Sequence, residues 1–234
     1  MGPHELVDFA IDETPITGDT RERLLEAGLR LFAAKGFDSV STRELTRAAD
    51  VNIAAIGYHF GGKQELYHAV IEQQVKETEP LVAPIAAQLR ASLDEAAGDP
   101  EKLSKVATRL VEGLLQAFTG SERMRIRAAL IMREYAMPSS GFGIIFHGRI
   151  EPLHKGITEL VSVVLDRSPD DPQTVVRAHA VIGQIIIFFL ARIILFARLG
   201  WSSYGPGEMQ MVCQEVTESV LLSLGLPILP AAGD

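Results

Sequence analysis

Residues 41–70 read STRELTRAADVNIAAIGYHFGGKQELYHAV. Ser41-Thr42-Arg43-Glu44 has the form of a capping box, a hydroxyl placed to accept the backbone N–H three residues on and a carboxylate placed to reach back. The pattern predicts a helix over 42–49 with Leu45, Ala48 and Ala49 inward, then a turn at Asp50-Val51-Asn52. A second short helix over 53–60 follows, with Ile53, Ile56 and Phe60 on one face. Gly61-Gly62 ends it and Lys63 opens a long helix. Two short helices joined by a three- or four-residue turn form a helix-turn-helix, the unit that lays its second helix in a DNA major groove.

The residues left outward suit a groove. Ala54, Ala55 and Gly57 are too small to hold a backbone away from base edges, and an alanine methyl can meet a thymine methyl. Gly57 costs a mid-helix position about 1 kcal/mol against alanine, and close approach to another backbone or a phosphate would account for it. Ser41, Thr42, Tyr58 and Lys63 offer hydroxyls and a cation to phosphate oxygens, which position without reading sequence. The amino ends of the helices starting at 42 and 63 add oriented N–H groups. Asn52, His59 and Arg43 can reach base edges, and Arg43 suits a phosphate equally. The plainer alternative is a helical hairpin packed inside an all-α protein, which would not leave Ala, Gly, Tyr, His and Lys outward together.

Working outward, Asp19-Thr20-Arg21-Glu22 predicts a capped helix over 19–35 that buries Leu24, Leu25, Leu29, Leu31 and Phe32 and stops at Gly36. Residues 1–17 hold four acids and no Lys or Arg, and read as a loose arm. Pro80 and Pro84 are expected to kink or end the helix that Lys63 begins. Further helical stretches are expected at about 85–96, 101–118, 122–136, 143–166, 172–198 and 207–224. No run alternates apolar and polar residues long enough for a sheet, so the fold class is all-α. The domains expected are the arm 1–17, a helix-turn-helix domain 18–72, a larger helical domain 73–226 and a tail 227–234.

Composition narrows the function classes. The 234 residues carry a net charge of −8, with 47% hydrophobic and 22% charged residues, which argues against disorder and against a chain that coats nucleic acid over its whole surface. Residues 18–76 hold eight Lys or Arg against eight acids, so the amino-terminal part is the least repelled by DNA. One cysteine, Cys213, cannot close an internal disulfide, and a reduced cytoplasmic setting is expected. The start carries neither a secretory nor a myristoylation pattern.

Val181–Leu199, VIGQIIIFFLARIILFARL, approaches bilayer length. Gln184 and Arg192 interrupt it, and an arginine at mid-span costs about 2.5–3.5 kcal/mol. A soluble helix buried on nearly all sides is expected rather than a membrane span. It has more apolar surface than one small domain can cover, which implies a partner subunit.

His147 and His154 lie two helical turns apart, roughly 10.5 Å, too far to share an ion held by ligands about 2.1 Å away. Satisfied histidines are expected, with no metal. Arg123, Arg125, Arg127 and Arg133 form a basic face, read by default as a solvated helix face; the sharper alternative makes Arg127 or Arg133, in an otherwise apolar segment, an anchor for an anionic effector. The rival classes are a small all-α enzyme using His147, His154 and His179, and a membrane-associated helical adaptor resting on 181–199. No Gly-x-Ser-x-Gly, phosphate loop or His-Glu-x-x-His occurs, and no cofactor motif is found.

The stretch 41–70 resembles the DNA-binding module of TetR-family transcriptional regulators, on Thr42, Ala49, Val51, Tyr58, Phe60 and Lys63. The match covers about residues 19–72. The resemblance implies that Thr42, Tyr58 and Lys63 contact phosphates and that 52–59 face the groove. Asp50 stands where many members have glycine, so a differently shaped turn is expected. Residues 137–165, MPSSGFGIIFHGRIEPLHKGITELVSVVL, with the apolar helix ending Leu-Gly-Trp, are similar to the carboxy-terminal domain of the CecR-type subgroup. That resemblance implies effector binding and dimerisation without catalysis. The expectation is a cytoplasmic homodimeric repressor that binds near-palindromic double-stranded DNA and is released by a small-molecule effector. Helices 172–198 and 207–224 would form the subunit interface. Polar anchors for the effector would come from Arg133, Glu134, His147, His154, His179 and Gln184, in a mostly apolar pocket.

Overall fold

The computed structural model describes residues 15–119 and 122–229, with backbone only at 78, 80–86, 117–119 and 122–125. Most of the arm 1–17 and the end of the tail 227–234 therefore lie outside the described residues. Eleven α-helices and one π-helical turn account for the regular structure there, with no strand among the described residues. They are α1 (Thr20–Lys35), α2 (Thr42–Ala48), α3 (Ala54–Phe60), α4 (Lys63–Ala96), α5 (Pro100–Thr119), α6 (Glu122–Ala136), α7 (Phe142–Ile145), α8 (Glu151–Leu165), α9 (Pro172–Leu190), α10 (Arg192–Leu199) and α11 (Pro206–Leu224), with the π turn at Phe146–Ile150. The chain divides into two packed units, one of residues 1–80 with 121–149, the other of 81–120 with 150–234. By packing, α6 and α7 thus group with the amino-terminal helices rather than with the helices that follow them.

In the first unit, α1 begins as its sequence predicts: Glu22 N donates to Asp19 Oδ1 at 2.8 Å and Asp19 N to Glu22 Oε2 at 3.0 Å. Its buried face sets Leu24, Leu29 and Phe32 against Leu66, Tyr67, Val70 and Ile71, all nearly inaccessible. Gly28 is the point of closest approach, because a Cβ there would lie 2.8 Å from Val70 Cγ2. Phe32, Phe37 and Tyr67 pack with ring centroids 4.8–6.2 Å apart. Two groups of α6 tie this unit together. Arg133 donates to the carbonyls of Ala33 (3.4 Å) and Ala34 (2.7 Å), capping the carboxyl end of α1. Glu134, only 1% exposed, accepts from the Tyr67 hydroxyl, from Ser139 N at 2.9 Å and from Ser139 Oγ at 2.5 Å.

In the second unit, Leu89, Leu93, Leu103, Val111, Ile157, Leu160, Val181, Ile185, Val216 and Val220 belong to one apolar cluster. Asp99 caps α5 through bonds from Glu101 N and Lys102 N, and Asp171 caps α9 through Gln173 N. Gln184 joins α9 to α11 by accepting from Ser219 Oγ (2.9 Å) and donating to Ser223 Oγ (3.3 Å).

Several elements differ from expectation. The two prolines do not end α4, which continues from Lys63 to Ala96. A proline inside a helix removes one hydrogen bond and crowds the preceding turn, yet the backbone stays helical through both positions. The packing division nevertheless falls at Pro80. The stretch expected as one helix over 143–166 is interrupted by the π turn, and that over 172–198 breaks at Ala191, whose φ/ψ of −109°/22° leaves the helical region. Nor is the apolar helix buried on nearly all sides. Val181, Ile182, Ile185 and Phe189 are buried, whereas Val176, Ile187, Leu190 and Ile194 are exposed, and α10 has no fully buried residue. Among the described helices, α9 is long and apolar enough to cross a membrane by length and composition.

Candidate nucleic-acid interface

The helix-turn-helix is built by α2 and α3 against α1. Ser41 caps α2, its Oγ accepting Glu44 N at 3.2 Å. The expected reciprocal half of the capping box is absent, because the Glu44 carboxylate pairs with Lys35 instead. That bond holds the Glu44 carboxyl below its ordinary range. Leu45 and Ala49 are buried as expected, while Ala48 is exposed.

Asp50 takes φ +51°, the left-handed conformation, and its carbonyl accepts Arg23 Nη1 at 3.2 Å. The turn therefore has the backbone that glycine adopts freely, reached here by an aspartate, one of the few other residues that tolerate it. Asn52 Oδ1 then accepts Ala54 N at 2.9 Å and starts α3. Asn52 is thus a capping residue as well as an exposed one. Ile53, expected inward, is 53% exposed at the mouth of the turn, and Ile56 alone is the buried anchor of α3. Gly61 closes the helix at φ +92°.

What α3 leaves outward is apolar-small and hydroxyl-bearing. Ala54 and Gly57 are exposed, Ala55 and His59 half-buried, and Tyr58 is 86% exposed with its ring edge-on to His59. A Cβ built at Gly57 would meet nothing within 4 Å. Nothing in the protein itself therefore requires glycine there. Lys63 Nζ sits 4.3 Å from the Phe37 ring centroid, so its cation is held beside the amino end of α4. Arg43 is exposed, and Ser41 and Thr42 lie at the amino end of α2. All ten expected contact residues belong to the first unit.

The expected effector residues divide between the two units, Arg133, Glu134 and His147 in the first and His154, His179 and Gln184 in the second. Arg133 and Glu134 belong to the first unit and are spent on Ala33, Ala34, Tyr67 and Ser139. His147 is exposed on the π turn. His154 and His179 do meet, with stacked rings 5.6 Å apart, and His154 Nδ1 lies 3.3 Å from Thr158 Oγ1. Burial and then the neighbouring His179 lower the His154 pKa. Gln184 bridges two serines of α11. Of the basic face on α6, Arg127 is bonded to Gln74 and Glu77, while Arg123 and Arg125 fall outside the described side chains. Among the described residues no group of three or more His, Cys, Asp or Glu is placed to hold a metal.

Comparison with known proteins agrees with both resemblances. Residues 24–70 match the family model of bacterial regulatory proteins of the tetR family. Residues 103–226, over half of the chain, match the model of the C-terminal domain of the HTH-type transcriptional dual regulator CecR. The chain belongs to the TetR family of transcriptional regulators, in the subgroup with a CecR-type carboxy-terminal domain. The dual regulator CecR of Shigella flexneri is 25% identical over 84% of this chain and 87% of its own length. The regulator AcrR of Shigella flexneri is 29% identical over 50% of this chain and 49% of its own length. A solved transcriptional regulator from Rhodococcus sp. Rha1 shares the fold, with a TM-score of 0.51 at 22% identity over 91% of this chain and all of that one. These relatives are regulators, and the family is not one of enzymes.

Proposed function

We propose that this chain is a cytoplasmic, homodimeric repressor that releases a near-palindromic operator when a small-molecule effector binds its carboxy-terminal domain. The observation that carries the DNA half of this reading is the outward face of α3, where Gly57 has open space around it and Tyr58 stands clear of the fold. Asn52, Ala54, Ala55, Gly57 and His59 would face base edges. Ser41, Thr42, Arg43, Tyr58 and Lys63 would hold phosphates. Residues 18–72 act as the DNA-binding domain and 73–226 as the effector and dimerisation domain.

Exposed Val176, Ile187, Leu190 and Ile194 along α9 and α10, and Met211 and Leu222 on α11, support a second copy of the chain at these helices. A twofold dimer would bring two α3 helices to successive major-groove faces roughly 34–36 Å apart, or a multiple of that. An effector shifts DNA affinity only by its differential affinity for the two states of the dimer. The test is footprinting on the DNA upstream of the chain's own coding sequence, with transcription measured in parallel. Two protected half-sites related by a dyad, with transcription lowered by the protein, support the reading. A single unsymmetrical footprint, or transcription only raised, contradicts it.

A further inference from the structure

Arg149 closes the π turn Phe146–Ile150 and is half-buried. Its Nη1 is shut away from solvent with no hydrogen-bond partner, and no ion pair joins its guanidinium to an acid among the described residues. Arg23 of the same unit also has an enclosed nitrogen without a partner, its Nε, but its Nη1 donates to the Asp50 carbonyl at 3.2 Å, and three further guanidinium groups there are paired. Arg30 is paired with Glu26, Arg127 with Gln74 and Glu77, and Arg133 with the carbonyls of Ala33 and Ala34. Burial lowers the Arg149 pKa, in keeping with the enclosure of Nη1. An enclosed guanidinium nitrogen without an acceptor costs folding free energy, so it calls for a partner that no described residue supplies.

The turn that carries Arg149 is pinned in place. A Cβ at Gly148 would lie 2.5 Å from Val75 Cγ1, and one at Gly141, just before α7, would collide with Ile71 and Tyr67, so the segment lies tight on α4 at both ends. Isolated π turns within α-helical stretches recur at functional sites. The guanidinium fork matches two oxygens of one carboxylate or phosphate.

We propose that Arg149 anchors the oxyanion of an apolar acid, and that this acid is the effector. The inference deepens the effector-binding reading and rests on it. It moves the anionic anchor expected of Arg127 or Arg133 to a residue whose charge is unspent. The body of the ligand is apolar because the turn's neighbours are: Phe146 and Ile150 bracket the turn and Val75 packs on Gly148.

The test uses the full-length protein, with octanoate and benzoate as aliphatic and aromatic acid probes. Octanamide and benzamide serve as uncharged counterparts, and inorganic phosphate as an oxyanion without an apolar body. Thermal melts are taken for the parent, Arg149→Met and Arg149→Lys, with operator binding measured in the same buffer. At concentrations several times its dissociation constant an acid raises the parent Tm by about 2–4 °C. The amides and phosphate leave it unchanged. Arg149→Met removes the uncompensated charge at similar volume, so it melts higher than the parent without additive and no longer responds to acid. Arg149→Lys keeps the charge, loses the fork and responds less. A lower Tm for Arg149→Met would show that the guanidinium serves the fold and overturn the inference. Equal acid shifts in parent and variant, or no shift in the parent, would do the same. Operator binding by the parent that survives such a failure leaves the regulator reading standing, whereas its absence sinks that reading separately.

Discussion

Gly57 and Asp50 are two residues whose backbone and surroundings make opposite demands. Gly57 sits in a helix with open space where a side chain would go. Gly57→Ala is therefore expected to stabilise the fold by about 0.5–1 kcal/mol through helix propensity. The same methyl would stand between α3 and the floor of the groove, so operator affinity should fall. Urea unfolding and an operator titration on one preparation separate the two effects, and unchanged affinity would place the DNA-facing surface elsewhere. Asp50 presents the reverse case. Its φ of +51° is one that glycine adopts at no steric cost. Asp50→Gly should raise stability by about 0.5–1 kcal/mol with DNA binding unchanged, since the side chain makes only a 3.9 Å contact with Arg23. The expectation of a differently shaped turn rests on residue identity alone, whereas the observed conformation at Asp50 is one that either aspartate or glycine can adopt.

Among the elements, α1, α4 and α6 meet at Tyr67 and Glu134. Tyr67→Phe leaves the buried Glu134 without one donor, a loss of about 1–3 kcal/mol in denaturant unfolding. The Tyr67 pKa is raised, by burial first and by the Glu134 bond second, so its hydroxyl remains a donor at neutral pH. On α8 and α9, His154 stacks on His179 and its pKa is lowered by burial. A base with a depressed folded pKa binds fewer protons folded than unfolded, so stability falls as pH drops through the ordinary histidine range near about 6.5. Thermal melts at neutral and mildly acidic pH should show a smaller acid loss in His154→Gln than in the parent. An identical loss would remove His154 from the account.

Local signals made these elements legible to different degrees. The capped starts of α1 and α2 and the glycine stops are read from residues that act on their own neighbours. Three features were not legible, because each depends on packing: the continuity of α4 through Pro80 and Pro84, the π turn before α8 and the break at Ala191. Glu44 illustrates the limit within one motif. Its spacing from Ser41 fits a capping box, but Lys35, nine residues earlier, takes its carboxylate.

For the whole molecule, the helix-turn-helix was the most legible part because its outward residues are defined by what they fail to bury. The proposed effector site has the weakest local signals. Arg133 and Glu134 stand out in sequence as polar groups in an apolar segment, yet they are bonded inside the first unit. Arg149, two residues beyond His147, has no sequence signal to set it apart, and only its lack of a partner marks it. The exposed apolar residues of α9 and α10 likewise emerge only once the chain is folded and one face is still uncovered.

The central claim is that α3 reads DNA with phosphates held around it. It is tested most directly by fluorescence anisotropy of the full-length protein on its own upstream DNA, across a salt series and against unrelated competitor, with Tyr58→Phe and Lys63→Ala alongside. The parent should prefer its own DNA, with affinity falling steeply as salt rises. Lys63→Ala should bind more weakly, with the slope of log K against log salt reduced by about 0.9 for each phosphate that is no longer neutralised. Tyr58→Phe should weaken binding without altering the melt, its side chain being free of the core. Variants that bind like the parent, or a parent with no preference over competitor at any salt, would contradict the account.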